Sequence, residues 1–399
     1  LVTRSSRSNK PKDIRSMRLY ELPTAIIAVL LTTIFPGIAV GSDINAVEFA
    51  KDYPKVDEFL GEKLQPGEVA AAVEISETIS SAIQRKYAPG SARRDAHPKA
   101  HGCVKANVTV GQNLDSTLSK GVFQPGKSYS AWIRFSNGDG DPNRPDFEGD
   151  GRGMAIKLLD IGADTLLPDD QGAKTQDFIM ISHPVFLIND VESYTSLISH
   201  VNSDNWFVSI FRPLLLPLDL GFSGVLIARD TTSKKIDNPL KTRYWSMVPY
   251  QLGVGDARQA IKFSARPCSP HTHAVPAGAD KDFLRTAMRN TLSTEDACME
   301  LLVQPRTSIS MSVEDSKTEW LEADAPFHSV ARIDIPKQKF DTPAQNEFCE
   351  NLSFTPWHAL PEHRPLGAVN RMRKVIYLHI SGFRRKMNSV SPADIQLQD

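Results

Sequence analysis

Polar and apolar residues change rhythm twice along the chain. Residues 25–35 (AIIAVLLTTIF) are an unbroken apolar run. Residues 68–86 (EVAAAVEISETISSAIQRK) instead repeat apolar positions every three to four residues and are stopped by Ala88-Pro89-Gly90, which predicts an amphipathic helix. From residue 104 the period shortens to two. Alternating segments at 104–110, 128–136, 154–159, 177–182, 260–265, 299–304 and 330–335 predict strands. Helical patterns recur at 189–200 and 280–288 and in a basic segment at 365–386. Strands spaced by tens of residues, without regular strand–helix alternation, predict an α+β protein: one antiparallel sheet or β-barrel with surrounding helices. No internal repeat divides it, so a single mature domain is expected.

Composition narrows the class. With 399 residues, 41% hydrophobic and 8% aromatic, the chain suits a globular protein and excludes collagen-like or multi-span readings. Residues 1–41 hold Arg4, Arg7, Lys10, Lys12, Arg15 and Arg18 against Asp13 and Glu21, leaving 40 basic and 45 acidic residues elsewhere. A mildly acidic body has no basic face to displace counterions, so no nucleic-acid partner is expected. The basic start, the apolar run, Pro36-Gly37 and the small residues up to Ser42 have the layout of a secretory signal, with cleavage near Gly41. The expected location is therefore the periplasm or the exterior. The competing reading is an uncleaved anchor across residues 22–40, the one route by which a membrane would be involved. The division expected is a leader at 1–41, a helical arm at 42–92 and a main domain at 93–399. The first residue is Leu1, and Met17 is an alternative start for the same mature body. Cys103, Cys268, Cys298 and Cys349 lack CxxC spacing; three pairings or four buried thiols remain open.

Three constellations could carry chemistry. The first is Arg93-Arg94 with His97, His101 and Cys103, suited to a buried acid/base site that also holds an anion. In the second, strand alternation puts Trp132, Arg134 and Ser136 on one face, where an arginine needs an anion or a solvent edge. The third is Arg373 with Tyr377, one helical turn apart. A guanidinium bonded to that phenol would favour phenolate, an anionic oxygen ligand suited to ferric haem.

Together these motifs resemble the haem catalase superfamily, especially its short exported catalase-like or minimal catalase/peroxidase members, from about residue 93 to 385. Gly121-Val-Phe-Gln-Pro-Gly126-Lys127 with Arg134-Phe-Ser136 looks like the family's glycine-lysine turn and RFS strand. Asp150-Gly-Arg152-Gly153-Met-Ala155-Ile-Lys157 is similar to its DxRGxAxK segment. The distal strand and following turn are matched by Asp177 to Asp190, and the proximal stretch by Phe354-Thr-Pro356 and Arg373-Lys-Val-Ile-Tyr377. The resemblance implies a catalase-like haem-binding core, haem b as cofactor, and Tyr377 as axial iron ligand supported by Arg373. It implies His97 as distal base oriented by Ser136, with Arg94 and Arg134 on the haem propionates and Tyr194 over the ring. His101 lacks the RxxH spacing of His97.

The family's distal asparagine is replaced. Its two candidate positions hold Ser182, which can donate one hydrogen bond, and Ile181, which can donate none. The implied activity is therefore a haem-dependent oxidoreductase consuming hydrogen peroxide or organic hydroperoxides, a catalase-related peroxidase with an electron donor and a small-molecule peroxide as partners. Rearrangement of hydroperoxides, as in allene oxide synthases, and a non-catalytic haem carrier or sensor are the alternatives. A homo-oligomer is compatible with this reading. Three signals are set aside: a glycine-rich Gly149–Gly153 loop without a following helix, an acidic loop at Asp139–Asn143 broken by prolines, and Cys268, His271 and His273 as three metal ligands in a proline-rich loop.

Overall fold

Residues 44–167 and 172–391 are described by the computed structural model of the chain. The expected leader lies outside them. Helix α1 (Ala46–Ala50) and α2 (Glu68–Lys86) form the arm, the latter with the bounds that its periodicity predicts. Four strands follow: β1 (Ala100–Val110), β2 (Ser128–Ser136), β3 (Gly153–Leu158) and β4 (Gln176–Ile181). Next come α3 (Val191–Val201), α4 (Trp206–Ser233) and the short strands β5 (Tyr244–Trp245) and β6 (Tyr250–Leu252). The chain continues through β7 (Gln259–Pro267), α5 (Phe283–Thr294), β8 (Ala297–Pro305) and β9 (His328–Ile335). It ends in α6 (Pro343–Asn351) and α7 (Ala368–Asn388).

The strands pair antiparallel in the order β5-β4-β3-β2-β1-β9-β8-β7, and β5 also pairs with β7. That last pairing closes an eight-stranded barrel, with β6 continuing from β7. Closure removes the exposed edges that an open sheet would present. Alternation then assigns the faces: Ile133, Phe135, Ile156, Phe178, Phe263 and Leu301 fill the barrel, while the intervening residues of β2–β4 turn outward.

A second apolar cluster lies outside the barrel. Ile75, Ile79 and Ile83 of α2 pack on Met372, Val375, Ile376 and Phe383 of α7, with Val191 of α3 among them. Arg371 locks this arm to α7. It is completely buried and bonds Glu62 (2.6 Å), Glu68 (2.7 Å) and Glu314 (2.9 Å). All four cysteines are paired, Cys103 with Cys349 and Cys268 with Cys298, so the reading of four free thiols is replaced. The first bridge fastens α6 beside β1.

Helix α4 has no counterpart in the predicted elements. Pro213 and Pro217 lie within it and Gly221 breaks its geometry, so its sequence reads as loop. It is long and apolar enough to cross a membrane by length and composition, and Trp206, Ile210, Leu214, Leu218 and Phe222 are exposed on it.

Candidate functional site

Strand register builds one wall of the site. Across β2, β3 and β4 the outward rows are Ser136–Gly153–Ile181, Arg134–Ala155–Ile179 and Trp132–Lys157–Asp177. The third row is sealed. Lys157 Nζ bonds both oxygens of Asp177 (2.8 and 2.9 Å), and His358 Nδ1 lies 2.9 Å from Asp177 Oδ2. Thr355 N–H also donates to Asp177, so the wall is tied to the segment that leads into α7.

His97 lies on the first row. Its Nδ1 is 3.1 Å from Ser136 Oγ. Only glycine fits beneath it, because a Cβ at position 153 would stand 2.6 Å from His97 Nδ1 and 2.7 Å from Ser136 Oγ. The His97 backbone is held in the left-handed region (φ 61°), a conformation that residues other than glycine seldom adopt. Burial, then the positive charge of Arg134, pushes the imidazole down to about 4, with Arg373 and Arg94 adding to the shift and the Asn137 backbone opposing it. The ring is thus neutral at ordinary pH, with Nδ1 held beside the Ser136 hydroxyl. His101 is elsewhere. It occupies the irregularity in the β1–β2 register between Ala100 and Gly102, with Nδ1 3.8 Å from Asp146.

Arginines accumulate beside His97, where among the described residues they outnumber the acids that pair with them. Arg134 is buried and donates from Nη2 to the His97 carbonyl (2.7 Å), while its Nε has no partner. Arg94 bonds Glu350 Oε1 (3.1 Å) and the Leu352 carbonyl (2.6 Å). Arg384 shares the same Glu350 oxygen at 2.5 Å. Three guanidinium groups therefore face one carboxylate. Desolvation and the charge of Arg94 push Arg134 well below its ordinary value and Arg384 down to about 9. Arg384 is the residue that the sequence reading omits. It lies two turns beyond Tyr377 on the same helix, and that spacing was the available signal.

The facing wall comes from α7 and α3. Arg373 is buried, and among the described residues its hydrogen bond goes to Asn370 Oδ1 (3.4 Å). The expected hydrogen bond from Arg373 to Tyr377 is not formed; the guanidinium interacts with that phenol electrostatically. Burial opposes the charge on Arg373, but the oxygens of Tyr377, Tyr250 and Tyr194 hold its pKa above the ordinary value. Phe186 lies under the guanidinium at 5.5 Å, and its ring meets Tyr194 edge-on at 5.8 Å.

His97, Ala155, Ile179, Ile181, Phe186, Tyr194 and Tyr377 each keep some accessible surface, whereas the residues that alternate with Ala155, Ile179 and Ile181 on their strands are buried. Desolvation is the largest influence on both His97 and Tyr194. Ser182 does not join this group. Its Oγ accepts the Arg152 backbone N–H (2.9 Å), and strand parity brings Ile181 into the row with Gly153. The side chain beside His97 at this level is therefore apolar, and no hydroxyl of Ser182 takes the place of the distal donor.

The barrel, with this outward site capped by α7, defines the class: the chain has a catalase-like fold. Among solved structures it is similar to a fungal catalase (TM-score 0.61, 18% identity, covering 79% of this chain and 63% of that one). It is also similar to catalase A from Saccharomyces cerevisiae (0.59, 17%, 79% and 65%) and to a bacterial catalase (0.55, 15%, 80% and 62%). The matched part spans less than two thirds of each of those chains. No protein-family model and no curated relative matches the sequence.

Proposed function

We propose that the chain is an exported, haem-binding oxidoreductase that consumes hydroperoxides, with peroxidase-type turnover favoured over rapid dismutation of hydrogen peroxide. The observation that carries this reading is the gathering of Arg94, Arg134 and Arg384 around a single carboxylate, Glu350, beside a neutral, buried imidazole. An arginine left without an anion in a desolvated site is costly, and two propionates would supply the missing charge through charge-assisted pairs. A flat apolar ring between the two walls would have Ala155, Ile179 and Ile181 on one side and Tyr194 and Tyr377 on the other. Tyr377 offers a phenol oxygen of the kind that ligates haem iron. The two disulfides favour an oxidising compartment, in accord with export.

When bound, haem would supply the ferric centre at which a peroxide O–O bond is reduced. The protein supplies the proton movements. His97 would accept the proton of a bound hydroperoxide and return it to the oxygen that leaves as water or alcohol, the haem supplying the electrons. Ser136 holds the imidazole in position, and Gly153 leaves room for it. Ile181 provides no hydrogen bond to the peroxide, whereas one oriented donor is worth on the order of 10²–10³ in rate at sites built around it. Its apolar side chain also suits the carbon chain of an organic hydroperoxide.

The test is to supply haem and measure oxygen evolution beside donor oxidation, with hydrogen peroxide and a fatty-acid hydroperoxide as substrates. Donor oxidation is expected to exceed oxygen evolution. His97→Ala is expected to retain haem and to lose about 10²–10⁴ of the turnover. Isomerised fatty-acid products without donor consumption would instead establish rearrangement, and a haem spectrum without turnover would establish a carrier.

A further inference from the structure

On the far side of α4 from its first residue, Asp237 meets two histidines that the sequence reading grouped with a cysteine. We infer that Asp237, His271 and His273 form a surface metal site, separate from the haem-type site, for a borderline divalent cation of the Zn²⁺ class. Cys268 is not part of it, because its sulfur is bound to Cys298. The third ligand comes from the segment that follows α4.

The ligand atoms converge. Asp237 Oδ1 lies 2.8 Å from His271 Nε2 and 2.8 Å from His273 Nδ1, and the ligand atoms of all three residues lie within 4.8 Å of one another. The remaining oxygen, Oδ2, accepts from Ala274 N–H (3.1 Å) and is 3.0 Å from His271 Nε2. The His271-Thr-His273 loop leaves the barrel three residues after Cys268, where the disulfide and the bond from Cys268 N–H to the Cys298 carbonyl (3.1 Å) fix its base.

Two further contacts flank His273. Thr242 Oγ1, which donates to the Asn238 carbonyl (2.9 Å), lies 3.5 Å from Nε2, and the Asp237 backbone N–H lies 3.4 Å from Nδ1. With a metal on Nδ1, an Nε2–H would face the Thr242 oxygen. A ligating imidazole that donates its other N–H to an oxygen is the usual arrangement around a protein metal.

The donor set selects the metal. Two imidazole nitrogens and one carboxylate oxygen suit Zn²⁺ and its neighbours better than Mg²⁺ or Ca²⁺, which prefer all-oxygen shells. Metal–ligand bonds of about 2.0–2.2 Å in a tetrahedron require ligands about 3.3 Å apart, so binding would part the Asp237 oxygen from each histidine nitrogen by about half an ångström. All three are partly exposed, which permits that movement and leaves a fourth position to water.

The experiment uses untagged, full-length, haem-loaded protein treated with EDTA and then dialysed. Zn²⁺ is titrated in competition with a chromophoric chelator, and Co²⁺ is added separately to read the visible bands of a low-symmetry site. One Zn²⁺ per chain is expected with a Kd below about 10 µM, weakened by at least about 100-fold in His271→Ala/His273→Ala, with haem content unchanged. Loss of the Co²⁺ bands in the same variant is expected alongside. Zn²⁺ binding of equal strength in the double variant, or none tighter than about 1 mM in the parent, would overturn the inference and leave the three residues as a hydrogen-bonded ion pair.

Discussion

Arg371 and Arg373 stand two residues apart on α7 and are both buried, yet their surroundings are opposite. Arg371 meets Glu62, Glu68 and Glu314, whose hydrogen bonds outweigh burial and hold its pKa above the ordinary value. Arg373 faces phenol oxygens and, among the described residues, no carboxylate. One side of the helix is complete within the chain. The other, together with Arg94, Arg134 and Arg384, carries positive charge for which the described residues supply one nearby carboxylate, Glu350. Under the proposed function, the difference separates an arginine that holds the fold from arginines that would meet a ligand, a distinction that residue type alone does not make.

The largest effect is expected on the complete side. Arg371→Leu would leave three buried or half-buried carboxylates around an apolar residue, and a loss of about 3–5 kcal/mol is expected in chemical denaturation. A loss below about 1 kcal/mol would mean that the arm is held by its apolar contacts alone. On the open side, Arg134→Leu is expected to behave in the reverse manner. The haem-free protein should be as stable as the parent or more so, because a repelling, unpaired charge is removed, while haem affinity falls by roughly 10–100-fold. Equal destabilisation with and without haem would place Arg134 with Arg371 as a structural residue.

Acidity gives a smaller and more gradual effect. Burial is the largest cause of the lowered pKa of His97 and His183, both about 4, and of His363, about 3, against 6.5 for the free group. Their folded values are depressed, so the unfolded chain takes protons first. The contribution to stability is complete above about pH 6.5 and is lost as the pH falls towards 4. Thermal midpoints should be flat from pH 8 to 7 and decline below about 6. Peroxide cleavage, which needs His97 unprotonated, should persist to lower pH and fall with an apparent pKa near 4. A fall centred near 6.5 would place the base in a solvated environment.

Much of this arrangement was legible in the sequence, for identifiable reasons. Strand alternation located all seven of the longer strands, and Glu68–Lys86 kept its predicted bounds because its apolar spacing and its stop signal agree. The β-barrel was legible through the resemblance and not through periodicity, because the closing strand Tyr244–Trp245 is too short to show a period. Helix α4 was hidden by Pro213 and Pro217, which read as breaks. Arg384 was lost in the basic run Arg384-Arg385-Lys386, which resembles a solvated helix end, although Arg384 itself is buried. Spacing from Pro184 does not say which of Ser182 and Ile181 shares the face of Gly153, and the register assigns that place to Ile181. Asp237 lies 34 residues before His271, so only the fold could join them.

The most direct measurement is a haem titration of the purified chain and its Tyr377→Phe variant, followed by absorption spectroscopy. One haem per chain with a high-spin ferric spectrum is the expected result for the parent, and loss of that spectrum or of stoichiometric binding is expected for the variant. Identical binding and identical spectra in the two proteins would contradict the account, because a haem between α7 and the outer wall of the barrel would then not be held by a phenol oxygen on iron.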